Sequence, residues 1–399
     1  APLVLDLLLV ALIMHAILQK ILSTYSLKIK MPQISWLIII FLIIAFFQMF
    51  NPALPNLMRG IYGFRVSGAF YMISFFAALL TIRSKEDILK IMKVFIITGL
   101  TVALYGIYQY INPSQKEMLY ATRGEEWSGW YYMAKPFSTM IGPFHFGLFM
   151  VLSAFTVLVN LVKNNIIKIG RFKLKLIFVL LVVGLLLSLT RASYLAIVIG
   201  IMCLLFLKIK REKIKLKSIF KFVGIMIAIL TIIVLIKIIP QSQMVLHRVG
   251  MLGNFKDSAL HARIQVWPIR VEQILQNPLG FGIGINSGEN IFQASDNAFL
   301  AVGIETGLSG LLIFTAIFLS ILKKCFKLLK TLNNPDLQII ALWITSFTIA
   351  LLSVMMTNHI LQAYPLNMFF WFIIGILYKL KDMERQNDES INQKTTTDK

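Results

Sequence analysis

Residues 163–217 read KNNIIKIGRFKLKLIFVLLVVGLLLSLTRASYLAIVIGIMCLLFLKIKREKIKLK. Lysine and arginine crowd both ends of this stretch, at Lys163–Lys175 and Lys208–Lys217. Two apolar runs lie between them, 174–189 and 192–207, joined by a short turn whose one charge is Arg191. Apolar runs of this kind predict helices that cross a bilayer, because a helix satisfies all its backbone groups within one segment in lipid. Short loops rich in Lys and Arg stay on the cytoplasmic side. The two basic ends therefore belong inside, and Arg191 belongs outside.

The same alternation runs through the chain. The turns at Lys20/Lys28/Lys30, Arg83/Lys85 and Lys323–Lys330 are rich in cations, and the turns between them are poor. Eleven spans satisfy every turn at once: 3–19, 33–50, 61–82, 88–110, 138–162, 174–189, 192–207, 219–239, 298–322, 337–356 and 365–378. The expected fold is an all-α polytopic membrane protein. The hydrophobic fraction of 58% is too high for a soluble globular chain of 399 residues. A net charge of +21 would otherwise suggest nucleic acid, but these lysines track the inner turns, so no nucleic-acid partner is expected. No internal repeat and no matched pair of broken helices is visible, and the spans are nearly free of charge at their centres. That argues against a flippase or transporter.

The reading divides the chain into spans one to eight (1–239), a long external loop with a helical segment (240–297), spans nine to eleven (298–378) and a cytoplasmic tail (379–399) expected to be disordered from its Gln, Asn, Asp, Ser and Thr content. It leaves Ala1 outside and so implies an earlier helix, twelve in a full chain. Cys203 and Cys325 lie in or at the inner ends of helices, and no disulfide is expected. A second external segment, 111–137, carries Arg123, Glu125, Glu126, Trp127, Trp130 and Lys135.

Arg191, Arg248, Arg263 and Arg270 fall in external segments, against the trend of the other cations. Residues 257–267 read as a capped helix start, with Asp257 or Ser258 able to cap. Pro268 kinks or ends this helix. If helicity resumes, Arg263, Trp267 and Arg270 share one face, and their guanidinium forks suit phosphate. The same pattern fits arginines that snorkel to lipid headgroups. Residues 277–284, NPLGFGIG, predict a tight turn whose alternate glycines let backbone approach a ligand closely. Asp296 stands before the ninth span, placed either as a general base or as a helix cap. His261 is a second candidate base, or a surface loop residue. Arg65, at the outer side of the third span, adds a phosphate contact or snorkels.

From about Lys135 to Gly310 the chain resembles the O-antigen ligase and O-antigen polymerase family, including relatives that build capsule, exopolysaccharide and teichuronic acid. The resemblance rests on Pro136–Gly147, on Leu189-Thr190-Arg191-Ala192-Ser193, and on Ser258 with Arg263 and Trp267. It continues through Asn277–Gly284 and through Asp296-Asn297 followed by Leu300, Glu305, Gly307, Leu308 and Gly310. It implies a metal-independent glycosyltransferase, with no cofactor, at the outer face of the cytoplasmic membrane. The donor would be a glycan on undecaprenyl pyrophosphate, and a flippase and chain-length regulator of the same pathway would be partners. By position Arg191 and Arg263 match the family arginines that hold pyrophosphate, with Arg270 and Arg65 as further cations. Trp267, Lys135 and Asn297 are the candidate glycan contacts. Asp296 stands where ligases of the family carry His, which looks more like polymerase relatives.

Overall fold

The computed structural model describes residues 6–7, 9–14, 31–112, 114, 135–162, 166–212, 258–287, 297–359 and 365–397. The expected span at 219–239, most of the expected span at 3–19, Arg248, Asp296 and most of the 111–137 segment lie outside the described residues, as do the side chains of His261 and Arg263. The described elements are helical, with no strand among them.

Among the described residues four helices are long and apolar enough to cross a bilayer: Lys85–Ile111 (α4), Pro143–Val162 (α5, apolar to Leu161), Ala298–Thr331 (α9) and Pro335–Met355 (α10). A fifth candidate is a bent pair, Leu57–Val66 (α2) and Ile73–Thr81 (α3), joined by a 3-10 turn at Phe70–Met72 and bent by 42°. The expectation of eleven spans is met only to this extent. Three of the remaining helices are short. Gln33–Phe47 (α1) with its 3-10 extension, Arg171–Leu187 (α6) and the apolar part of Arg191–Glu212 (α7) are each close to 17 residues. At about 1.5 Å per residue they reach about 25 Å, short of a ~30 Å hydrocarbon core.

The chain forms two compact units. The first comprises residues 1–91, 263–345 and 355–399. In it α9 packs on α1, and Leu366–Thr397 (α11) packs on α3 and α9. Aromatic rings fill these contacts: Phe314 lies 5.5 Å from Phe41 and 5.0 Å from Phe318, and Phe318 stacks on Phe370 at 5.8 Å. The helix α11 runs on to Thr397, where the composition had suggested a disordered tail. The chain there gains a local anchor. Glu384, 3% exposed, accepts the N–H groups of Asn333 at 2.6 Å and Asn334 at 2.8 Å, and pairs with Lys381.

The second unit comprises residues 92–262 and 346–354. Here α5 packs on α6 and α7. Glycines set the spacing, since a Cβ on Gly106 would come within 2.4 Å of the Phe146 ring and one on Gly200 within 2.2 Å of Phe155. Small residues permit such close approach between helices in a membrane. Neither Cys203 nor Cys325 is in a disulfide.

Candidate functional site

The residues singled out by sequence divide between the two units. In the first unit, α9 is broken at Gly307, whose φ of 71° and ψ of −170° lie outside the helical region. A break of this kind frees backbone groups that an apolar surrounding cannot satisfy. The turn 277–284 fills it. Phe281 N–H donates to Ile304 O at 2.8 Å, Gly282 N–H to Glu305 O at 3.1 Å, and Leu308 N–H to Pro278 O at 2.8 Å. Gly280, Gly282 and Gly284 all have positive φ. The turn is held from its other side by Gln48, whose side chain donates to Leu279 O, by Asn51 at 3.0 Å to Gly280 O, and by Arg59, whose Nε donates to Gly284 O at 3.1 Å. The close backbone approach foreseen from the glycines is therefore an approach to protein backbone. A Cβ on Gly63 would sit 2.4 Å from Gly284 Cα, and one on Gly307 2.2 Å from Pro278 O.

Glu305, 1% exposed, lies at the centre of this clamp. Its carboxylate accepts Gly284 N–H at 3.3 Å, faces the Asn286 side chain and N–H, and stands within Coulombic range of Arg59. The sequence reading gave it no role. A charged residue inside an otherwise apolar run was the available signal.

The helix Ser258–Gln276 (α8) continues through Pro268, so Arg263, Trp267 and Arg270 occupy one helical face as the spacing required. Arg270 is 4% exposed, and its Nη1 donates to Gln273 Oε1 at 2.8 Å. Trp267 lines an apolar groove with Pro268, Val271, Glu272 and Leu275. Arg65 forms an ion pair with Asp6 at 2.6 Å, and Tyr71 donates to the same carboxylate at 3.1 Å. Arg65 is thus engaged in internal charge pairing. The N-cap of α9 is Asn297, whose side-chain oxygen accepts Phe299 N–H at 2.9 Å and Leu300 N–H at 3.2 Å. Asn297, a candidate glycan contact from the sequence, thus has its side-chain oxygen at the helix end.

In the second unit Arg191 is the first residue of α7. The half-buried Lys135 lies within Coulombic range of it, and burial together with the Arg191 charge holds the Lys135 ammonium below the usual lysine range. Arg191 thus stands at the positive end of a helix, with a second cation within Coulombic range, and a helix start of this kind attracts anions. The approach to each is a turn with positive φ at a residue other than glycine, Ser138 at 54° and Leu189 at 51°. Ser188, Thr190 and Ser193 form a hydroxyl chain at 2.9 Å steps beside Arg191.

These features define a helical multi-pass membrane protein with a basic, partly buried helix end. Residues 176–315 match the family model described as O-antigen ligase. The match takes in Arg191, α8, the glycine turn and the broken half of α9 through Gly307. No curated protein matches the chain.

Proposed function

We propose that this chain is a membrane glycosyltransferase that polymerises undecaprenyl-pyrophosphate-linked oligosaccharide repeat units into a surface polysaccharide at the outer face of the cytoplasmic membrane. The observation that carries this reading is Arg191, the first residue of α7, inside the region 176–315 that matches the family model described as O-antigen ligase. An acceptor sugar hydroxyl attacks the anomeric carbon of the donor. The bond from that carbon to the phosphate oxygen breaks, and lipid pyrophosphate leaves with the electron pair. Arg191 and Arg263 stabilise the charge gathered on the leaving group, since guanidinium forks bind phosphate bidentately. The hydroxyl proton passes to Asp296, with His261 the second candidate base. Arg65 and Arg270, engaged by Asp6 and Gln273, take no first role in this scheme.

A second reading, transfer of the finished glycan to another acceptor, is favoured by the description of the matching family as a ligase. The reaction centre would be the same. The test is glycan chain length made by purified protein from purified lipid-linked repeat units. Arg191→Ala and Arg263→Ala are expected to lose polymer at normal protein level, and Arg191→Lys to lose part of it. Full-length polymer from both alanine variants would refute the reading. A single transfer to an added acceptor, with no lengthening, would select the ligase.

A further inference from the structure

Arg59 lies between the spans 33–50 and 61–82, opposite the basic turns at Lys20/Lys28/Lys30 and Arg83/Lys85. The charge alternation that places Arg191 outside therefore places Arg59 there too. Its backbone is fixed in the first turn of α2, where its N–H donates to Asn56 Oδ1 at 2.8 Å. Its side chain is tied to the turn 277–284, since Nε donates to Gly284 O at 3.1 Å. A Cβ on Gly284 would come within 2.9 Å of Arg59 O, so the two backbones are in contact as well. The two Nη groups are left over. Among the described residues neither has a hydrogen-bond or ion-pair partner, and neither is buried. Glu305, which takes Gly284 N–H, forms no ion pair with Arg59. A guanidinium held by Nε with its Nη edge open is ready to take a phosphate through two parallel bonds.

The surface beside Arg59 suits a lipid. Met58, Ile61 and Tyr62 of α2 are exposed, and so are Phe47 and Phe50 where α1 ends and its 3-10 extension packs on α2. An apolar strip with one open cation at its outer edge matches a lipid that carries a phosphate.

Polymerisation of lipid-linked units needs such a place. Each addition involves two lipid pyrophosphates. The donor loses its bond from the anomeric carbon to the phosphate oxygen, while the acceptor keeps its lipid pyrophosphate intact. In the proposed scheme Arg191 and Arg263 serve the leaving group, and both lie in the matched region 176–315; Arg59 lies outside it.

We propose that Arg59 binds the intact pyrophosphate of the acceptor lipid, whose prenyl chain lies along Phe47, Phe50, Met58, Ile61 and Tyr62. Arg59 is then a specificity residue, favouring an acceptor that is itself lipid-linked. This rests on the reading of the chain as a polymerase, and its test needs no sugar.

The probe is undecaprenyl pyrophosphate without a glycan, added to the purified full-length chain in detergent micelles and counted by native mass spectrometry. The wild type should hold two molecules. Arg59→Gln keeps an amide donor but loses the charge and the fork. It should hold one, with the second bound about 10- to 100-fold more weakly, the scale of a charge-assisted contact. The molecule that depends on Arg191 should stay bound in this variant, which separates loss of a site from loss of fold. Arg59→Lys keeps the charge without the fork and should weaken the second molecule about three- to tenfold. It decides the matter should the glutamine variant fail to fold. Two molecules held by both Arg59 variants at wild-type affinity, or only one by the wild type, overturn the inference and leave the donor reading standing. Displacement of the Arg59-dependent molecule by an equal amount of phosphatidylglycerol assigns the site to ordinary phospholipid, and overturns it as well. Binding that neither Arg59→Gln nor Arg191→Ala weakens, or none by the wild type, overturns the polymerase reading itself.

Discussion

Turns with positive φ occur in both units, and they are built in opposite ways. In the first unit the turn 277–284 uses glycine wherever φ is positive, and its partners are backbone groups of a broken helix. In the second unit Ser138 and Leu189 take positive φ with side chains attached, and the partners of Ser138 are a distant glutamine and a helix carbonyl. Glycine removes the steric cost of the conformation, while a side-chain clamp offsets it. The first device is tuned to backbones in contact and tolerates no added atom. The second leaves room, and its strength lies in hydrogen bonds that can be removed one at a time.

The largest effect should come from adding atoms to the first turn. Gly307→Val places a β-branched residue at φ 71°, with a Cβ 2.2 Å from Pro278 O. Strain and clash together should cost about 3 kcal/mol or more, and the protein should be lost from the monodisperse peak in size-exclusion of the detergent extract. A normal peak and thermal midpoint would mean that the break in α9 does not depend on glycine.

Glu305 comes next. Alanine leaves Gly284 N–H buried without its acceptor, a loss of about 1–3 kcal/mol for an unsatisfied buried group. Glutamine retains an acceptor oxygen of the same reach. Glu305→Gln should therefore recover most of the thermal stability that Glu305→Ala loses. Equal losses in the two variants would show that charge, and not the hydrogen bond to the turn, is what the site needs. A buried carboxylate in a broken helix is also a transporter device, but here the break is closed by the backbone of residues 278–282.

The contrast also explains what the sequence could and could not reveal. The apolar runs and basic turns located the helices, because lipid leaves the backbone few choices. The turn 277–284 was legible as a turn from Pro278 and its glycines, yet its purpose was not. Alternating glycines show that something comes close, and only the fold shows that it is Gly63 and Gly307 rather than a ligand. Gln109 and Glu305 were illegible as clamps because their partners lie 29 and 21 residues away. The polar stretch after Lys379 suggested disorder from composition alone, and the contact of Glu384 with Asn333 and Asn334 is invisible to composition.

Within the second unit, pH provides a gentler probe. Burial and the Arg191 charge hold the Lys135 ammonium below the usual lysine range. The sign follows. A base with a lowered folded-state pKa costs stability while it is protonated, and the cost is relieved as pH rises through that value. Donor binding runs the other way, because the protonated ammonium is the form that attracts phosphate. Raising pH should therefore increase KM for the lipid-linked donor before any ordinary lysine titrates. Lys135→Arg should flatten the profile, since guanidinium stays charged. An unchanged slope in the arginine variant would remove Lys135 from donor binding.

The smallest effect is the most discriminating for the comparison. Ser138→Gly relieves a positive φ that costs about 1–2 kcal/mol in an L-residue. It also removes the Ser138 Oγ bond to Val102 O, worth about 1 kcal/mol, and adds about 0.5–1 kcal/mol of unfolded-state entropy. Both bonds to Gln109 use the Ser138 backbone and survive the change. The contributions nearly cancel, so the thermal midpoint should move by no more than a few degrees. Adding a side chain in the first unit unfolds the protein, whereas removing one in the second is nearly neutral. If Ser138→Gly instead destabilised as strongly as Gly307→Val, the serine hydroxyl and not the Gln109 carboxamide would be the main clamp of that turn.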